Sequence, residues 1–440
     1  MIVSTMKNHA FAGLLTIGLL ISSAAGADDW PQWRGPHFNG SSDAKGLPDK
    51  LDASTQAWAV DLPGAGSGTP IIWQERIFIS CLDPKSSKLL AVCLSRKDGS
   101  ILWSKQVGLG YQKNDRNDQA SPSPITDGKL VWFYYGTGDL TAFGLDGNEK
   151  WTHNIQKEYG PFNIQWIYAS SPLLYEGKLY VQVLQRDVPP RRDAAASGPP
   201  AESYLLAMDA ATGKELWRQV RPNEAVAESK ESYATPFPYS NDGHAEILLI
   251  GGDCVTAHDP QTGKELWRCG GWNPRKMNSW RVVSSVVATD GLVFACPPKG
   301  GAVFAIKDSG SGDVTGTNVA WKNPDLSSDA AVPLVYKDRL YVLNGDRPRT
   351  LYCVEPKTGK VIWSTATDSR SVLRASPTGA DNKIYLANEA GDVWVLSTEE
   401  SKILSKSALG GRNNHATIAV VDREVFVRAG ESGAKLYAFK

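Results

Sequence analysis

Short apolar runs, each about one strand long and each broken by turn residues, recur along most of the chain. "ASSPLLYEGKLYV" (169–181), "SSVVATDGLVF" (284–294), "AVPLVYKDRLYV" (331–342) and "RASPTGADNKIYL" (374–386) share one layout. A small residue, often followed by Pro, opens a brief apolar stretch. Gly, Asn or Asp makes a turn, and a β-branched and aromatic stretch follows. This pattern predicts a tight hairpin. A second pattern comes after it. "TGKELWR" stands at 212–218 and again at 262–268, inside the wider match A-x-D-x-x-T-G-x-x-x-W. It predicts a third strand ending in A-x-D, a turn held by its own Asp with Gly at positive φ, and a fourth strand carrying Trp.

Weaker copies extend the series. Cys93 leads through Asp98-Gly99 to Trp103, Ala142 through Asp146-Gly147 to Trp151, and Cys353 through Thr358-Gly359 to Trp363. Ala305 reaches Trp321 through a Ser/Gly/Asp-rich insertion, Ser405 stands where the next Trp belongs, and Trp58 opens the set. Eight markers (58, 103, 151, 217, 267, 321, 363, 405) imply eight units. Four antiparallel strands in ~40–50 residues form one propeller blade. The predicted fold is therefore all-β: an eight-bladed β-propeller of four-stranded antiparallel blades. The last hairpin (416–427) is followed only by "KLYAFK", whereas "TQAWAVDL" (55–62) is a Trp strand without a blade. The N-terminal strand is predicted to complete the last sheet and close the ring. Trp58, Trp103, Trp151, Trp217, Trp267, Trp321 and Trp363 are predicted to fill the gaps between neighbouring sheets.

This repeat resembles the tryptophan-docking motif of the pyrroloquinoline-quinone (PQQ)-type eight-bladed propellers, over about residues 55–440. The resemblance implies one of two functions. One is a non-catalytic, BamB-like binding scaffold of the cell envelope. The other is a quinoprotein dehydrogenase that oxidises an alcohol or sugar with PQQ and Ca²⁺. The dehydrogenases hold the quinone between a Trp and a disulfide of adjacent Cys, bind Ca²⁺ with a Glu and an Asn, and use an Asp as base. This chain has no adjacent Cys pair, and those Glu, Asn and Asp residues match no local motif here. No catalytic residue is assigned. The expectation is a non-enzymatic scaffold without cofactor, binding envelope proteins or a small polar ligand. PQQ with Ca²⁺ belongs to the alternative, a PQQ-dependent oxidoreductase.

Composition narrows the setting. The 47 basic and 47 acidic residues leave no net charge, and no basic cluster points to nucleic acid. Lys7, an apolar run and Ala25-Gly26-Ala27 read as a secretory signal over 1–27, cleaved after Ala27. That run is too short to span a bilayer. No Cys precedes Cys81, so no lipid anchor is expected. The mature chain is expected to be a periplasmic or secreted monomer, with an N-terminal arm (28–54), the propeller (55–440) and a mobile Pro/Ala/Arg insertion (185–203). The six Cys lack a C-x-x-C and read as buried thiols. The sparse His lack metal-ligand spacing, and no metal site is expected.

Propellers bind ligands at the channel mouth, on loops that enter each innermost strand. Those loops carry Trp166, Glu231, Trp280, Arg281, Arg374, Asn414 and His415. Aromatic faces beside Arg and amide donors suit a quinone or sugar acid. The plainer alternative is that these residues are solvated or pair with one another. The arm segment "DDWPQWRGPHFNG" (28–40) reads either as an aromatic clamp across one face or as a cover over the channel that helps form a pocket.

Overall fold

The computed structural model describes residues 29–110, 116–190, 200–298 and 301–440. The signal segment 1–27 and residues 191–199 of the insertion lie outside the described residues. The third repeat shows how one blade is made. Its hairpin joins Leu173–Tyr175 to Lys178–Val183, and Tyr204–Asp209 and Glu215–Val220 follow. The four pair antiparallel in chain order. Second strands alternate little because both faces are covered: Lys178–Val183 is buried from its second residue on. Outermost strands such as Val361–Ala366 alternate between half-buried and exposed positions. Eight such sheets make up the ring. Among the described residues the only helical pieces are Ile155–Tyr159 and Ala227–Lys230, and no helix is long and apolar enough to cross a membrane.

The turn explains the repeated motif. Asp209 Oδ1 accepts from Thr212 N at 2.8 Å and from Thr212 Oγ1 at 2.7 Å. Gly213 takes φ 73°, and a Cβ there would come within 2.8 Å of the Trp151 ring of the preceding blade. The Trp151 Nε1 donates to Ala210 O at 3.1 Å. The indole thus lies on the turn of the next blade. Trp58, Trp103 and Trp321 do the same to Arg96 O, Leu145 O and Pro356 O, at 3.0, 3.0 and 2.8 Å. The small residue of the motif faces its own Trp across the strand pair, as in Ala207↔Trp217, Cys93↔Trp103 and Cys353↔Trp363. All six cysteines are free and buried.

Two blades depart from the pattern. In the fifth repeat the turn is lengthened, and Gly312–Asp313 pairs in parallel with Trp267 and Arg268 of the blade before. Trp267 is buried and donates to both Glu246 carboxyl oxygens, at 3.3 and 3.2 Å, instead of to a turn carbonyl. Where Ser405 replaces Trp, the N-terminal arm fills the gap. Leu47 and Leu51 are buried in one cluster with Tyr385, Val395 and Phe426. Ser405 Oγ donates to Asp49 O at 2.6 Å, and Tyr385 OH to Pro48 O at 3.2 Å.

The ring closes as the termini predict. Gln56–Asp61 pairs antiparallel with Lys435–Phe439, Trp58 opposite Ala438. Before it, the arm crosses the end of the channel where the first hairpins turn. Trp30 bridges Ile72, and Thr126 N donates to Pro31 O at 2.9 Å. Arg34 enters the ring itself, where Nη1 donates to Pro377 O at 2.9 Å and Nη2 to Pro333 O at 2.7 Å. Burial lowers its pKa to about 9, so it is a cation at neutral pH.

Candidate functional site

At the opposite end, each innermost strand begins as an extended entry segment. Alternate side chains of such a segment face the channel. The first inward position is a hydroxyl in seven blades: Thr69, Ser123, Ser171, Thr235, Ser285, Ser376 and Thr417, with Val332 as the exception. These hydroxyls tie one blade to the next. Thr417 N donates to Thr69 Oγ1 (3.0 Å), Thr69 N to Ser123 Oγ (2.9 Å) and Ser123 N to Ser171 Oγ (2.9 Å). Ser171 N donates to Thr235 Oγ1 (3.1 Å), Thr235 N to Ser285 Oγ (2.8 Å) and Val332 N to Ser376 Oγ (3.0 Å). The belt satisfies buried amides that no strand ladder reaches.

Above the belt lies a cavity of about 170 Å³. Two residues before the belt, each blade adds a second ring, with Ser67, Tyr233, Arg374 and His415 among its polar members. Arg116, Asn117, Trp166 and Arg281 stand higher on the wall. The floor includes Trp33 from the arm, whose Nε1 reaches Thr417 Oγ1 at 3.4 Å. The arm therefore clamps the far face and also helps form the pocket.

The structure brings Trp166, Arg281, Arg374 and His415 together on this wall. Glu231, Trp280 and Asn414 are not on it. Glu231 is fully buried behind the wall, paired with Arg186, and it accepts from Tyr233 OH at 2.7 Å and Gln165 N at 3.2 Å. Burial pushes its carboxyl up, against the pull of Tyr233 and Arg186. The Trp280 indole donates to Pro298 O at 2.8 Å. Asn414 Nδ2 donates to Glu389 O at 3.1 Å. Sequence reasoning missed the belt, Arg116 and Tyr233, and reached Trp33 only through the reading of the arm as a cover over the channel. A hydroxyl directly before Pro, at 69, 123, 171, 235 and 376, was the available signal.

The rim carries guanidinium groups paired with carboxylates that do not themselves line the cavity. Trp166 Nε1 donates to Glu228 Oε1 at 3.1 Å, and the Arg116 guanidinium lies 5.7 Å from the Trp166 ring centroid. Arg281 lies 3.5 Å from Glu228 and 3.6 Å from Asp329. Arg374 Nε donates to Glu389 Oε1 at 2.5 Å, and His415 Nε2 lies 3.1 Å from the same oxygen. Burial pushes Glu389 up, but His415 and Arg374 outweigh it and hold the carboxyl below its usual range. Among the described residues no Asp or Glu lines the cavity, and none form a group of three His, Cys, Asp or Glu able to hold a metal ion. Hard divalent cations take carboxylate oxygens, so this donor set does not fit a resident calcium. Two indoles, three guanidinium groups and the hydroxyls suit a flat, negatively charged ligand.

Known proteins resemble the chain on both sides of this question. The polyvinylalcohol dehydrogenase of a Pseudomonas species is 20% identical over 368 residues, 77% of this chain and 50% of its own. The present chain thus spans about half the length of that relative. The outer membrane protein assembly factor BamB of Burkholderia pseudomallei is 21% identical over 390 residues, 88% of this chain and 87% of its own. A solved quinohemoprotein alcohol dehydrogenase from Pseudomonas putida HK5 superposes with a TM-score of 0.65 at 13% identity, over 94% of this chain and 80% of that one. That likeness shows the fold alone. The family model described as outer membrane protein assembly factor BamB matches residues 50–188, 201–319 and 310–440, and the chain belongs to that family.

Proposed function

We propose that the protein is a non-catalytic propeller of the cell envelope, periplasmic or secreted after cleavage following Ala27. It serves as a binding scaffold for envelope proteins and holds a small anionic ligand at its channel mouth. One observation carries the ligand reading: the cavity is walled by Arg116, Arg281, Arg374, Trp166 and Trp33, and among the described residues no carboxylate lines it. Family membership supports the envelope setting. The wall offers charge and flat apolar faces, which bind and orient an anion, and nothing in it is assigned to a chemical step.

The second reading is a PQQ-dependent oxidoreductase acting on an alcohol or sugar. It is favoured by the indole floor and by relatives named as dehydrogenases. The absence of a calcium donor set on the described wall weighs against it. Fluorescence titration of residues 28–440 with PQQ, with and without Ca²⁺, separates the two readings. Saturable quenching that needs no Ca²⁺, with no reduction of a dye when alcohols or sugars are added, supports binding without catalysis. Ca²⁺-dependent quenching with dye reduction favours the enzyme. No saturable change with PQQ or with benzene-1,3,5-tricarboxylate overturns the ligand reading.

A further inference from the structure

The belt hydroxyls carry protons that the fold leaves unused. A hydroxyl has one proton to give and can accept two hydrogen bonds. Thr69 Oγ1, Ser123 Oγ, Ser171 Oγ, Thr235 Oγ1 and Ser376 Oγ each accept a backbone N–H from a neighbouring blade, at 2.9 to 3.1 Å. Thr417 Oγ1 accepts from Trp33 Nε1 at 3.4 Å. In all six the oxygen is the acceptor, and among the described residues none of the six protons has an acceptor in the protein. All six line the cavity. All but Thr235 are more than nine-tenths buried, so the channel is the one direction left for these protons.

The other polar side chains of the lining turn their acceptors to the protein. Tyr233 OH accepts from Trp166 N at 3.2 Å and gives its own proton to Glu231, and Asn117 Oδ1 accepts from Ile167 N at 3.3 Å. Ser67 and His415 face Asp118 and Glu389. Higher on the wall, Arg281 Nη1 is buried with no partner, and Arg116 and Arg374 add two more guanidinium groups. The side chains therefore offer a ligand N–H above and O–H below. A carboxylate accepts at every lone pair, whereas an alcohol must also place a proton of its own. We infer that the belt is the base of the ligand site: its ring of O–H donors takes the carboxylate end of a flat acid, and selects that acid over a neutral alcohol or sugar of the same shape. This rests on the ligand reading above, and it adds which groups read the ligand and which class they admit.

Isothermal titration calorimetry of residues 28–440 tests it, with benzene-1,3,5-tricarboxylate and its neutral counterpart 1,3,5-tris(hydroxymethyl)benzene as probes. The wild type should bind the acid about a hundredfold more tightly than the triol. Ser123→Ala and Ser285→Ala form a matched pair. Each takes the acceptor from one backbone amide, Thr69 N or Thr235 N, but Ser285 does not line the cavity. Both should lower the melting temperature alike, and only Ser123→Ala should weaken binding of the acid, by about tenfold. Thr417→Val, which takes the partner from no backbone amide, should weaken it as much, and it carries the test should a Ser variant fail to fold. Acid affinity that is equal in Ser123→Ala and Ser285→Ala, or unchanged in Thr417→Val, overturns this proposal, and binding of the acid by the wild type then leaves the ligand reading standing. A triol that binds as tightly as the acid overturns both, as does no binding of the acid or of PQQ.

Discussion

At the scale of single residues, parity sorts three of the entry segments around the cavity. In an extended segment neighbouring side chains face opposite ways, so Trp280 and Arg281 cannot both face the channel, nor can Asn414 and His415. Counting back by twos from the hydroxyls at 285, 376 and 417 selects Arg281, Arg374 and His415 and rejects Trp280 and Asn414, but the same count from 171 and 235 rejects Trp166, which lines the cavity, and selects Glu231, which does not. Trp33→Ala removes the floor and should weaken PQQ binding about tenfold while taking away much of the quenching. Trp280→Ala, whose indole is tied to Pro298 O away from the wall, should bind as the wild type does. Equal losses in the two variants would contradict this assignment of the walls. The types of residue at the mouth were legible in the sequence. Their directions were not, because entry loops of unequal length hide which residues share a face with the belt hydroxyls. Trp33 was legible only as an aromatic near the start of the chain, since its partner Thr417 lies 384 positions away.

At the scale of elements, the turn and the indole that docks on it are one unit. Gly213 and Gly177 share φ 73°, but only Gly213 has a ring against it, with nothing within 4 Å of a Cβ at Gly177. Substituting Ala at either position costs about 1 kcal/mol of backbone strain. Gly213→Ala should lose about 2 kcal/mol more, because Trp151 must also shift. Chemical denaturation of the two variants measures the difference, and equal losses would mean that docking adds nothing. The exceptional blade behaves differently with pH. Burial, with the Asp308 carboxyl as hydrogen-bond partner, raises Glu246 to about 8. Between the ordinary carboxyl range and about pH 8, the unfolded chain releases a proton that the folded chain keeps. Stability therefore falls as pH rises through that window and levels off above it. Glu246→Gln should melt close to the wild type near pH 5 and above it at pH 9, and melting curves that fall in parallel would reject the shift. The repeat motif made the positions of Trp58, Trp103, Trp151 and Trp321 on the neighbouring turns readable. It could not show that Trp267 would turn to a carboxylate, because the Ser/Gly/Asp-rich insertion that replaces its turn follows no period.

At the scale of the molecule, the N-terminal segment does two jobs that sequence alone divides unevenly. Closure was legible, because a Trp strand without a blade and a blade without a Trp strand need each other. The route of the arm was not, since aperiodic segments take their path from the surfaces they meet. Leu47 and Leu51 fill the gap left by Ser405, while Gln56–Asp61 covers the edge of Lys435–Phe439. Two truncations separate these roles. A chain starting at residue 55 keeps the closing strand but loses Trp33, Arg34 and both leucines. It should remain a monomeric propeller with a lower melting temperature and no ligand-dependent quenching. A chain starting at residue 63 also loses the strand, and with it the Trp58 contact to Arg96 O. Its last sheet then presents unpaired amides and carbonyls along Lys435–Phe439, which template pairing with another chain. Light scattering after size exclusion should show that form as oligomers or aggregate. If the chain starting at residue 63 stayed monomeric and melted with the one starting at residue 55, blades 8 and 1 would be held by side chains alone. Arg96 would then be the residue to remove next, since it joins them through Asp422 at 2.7 Å and Glu424 at 2.6 Å.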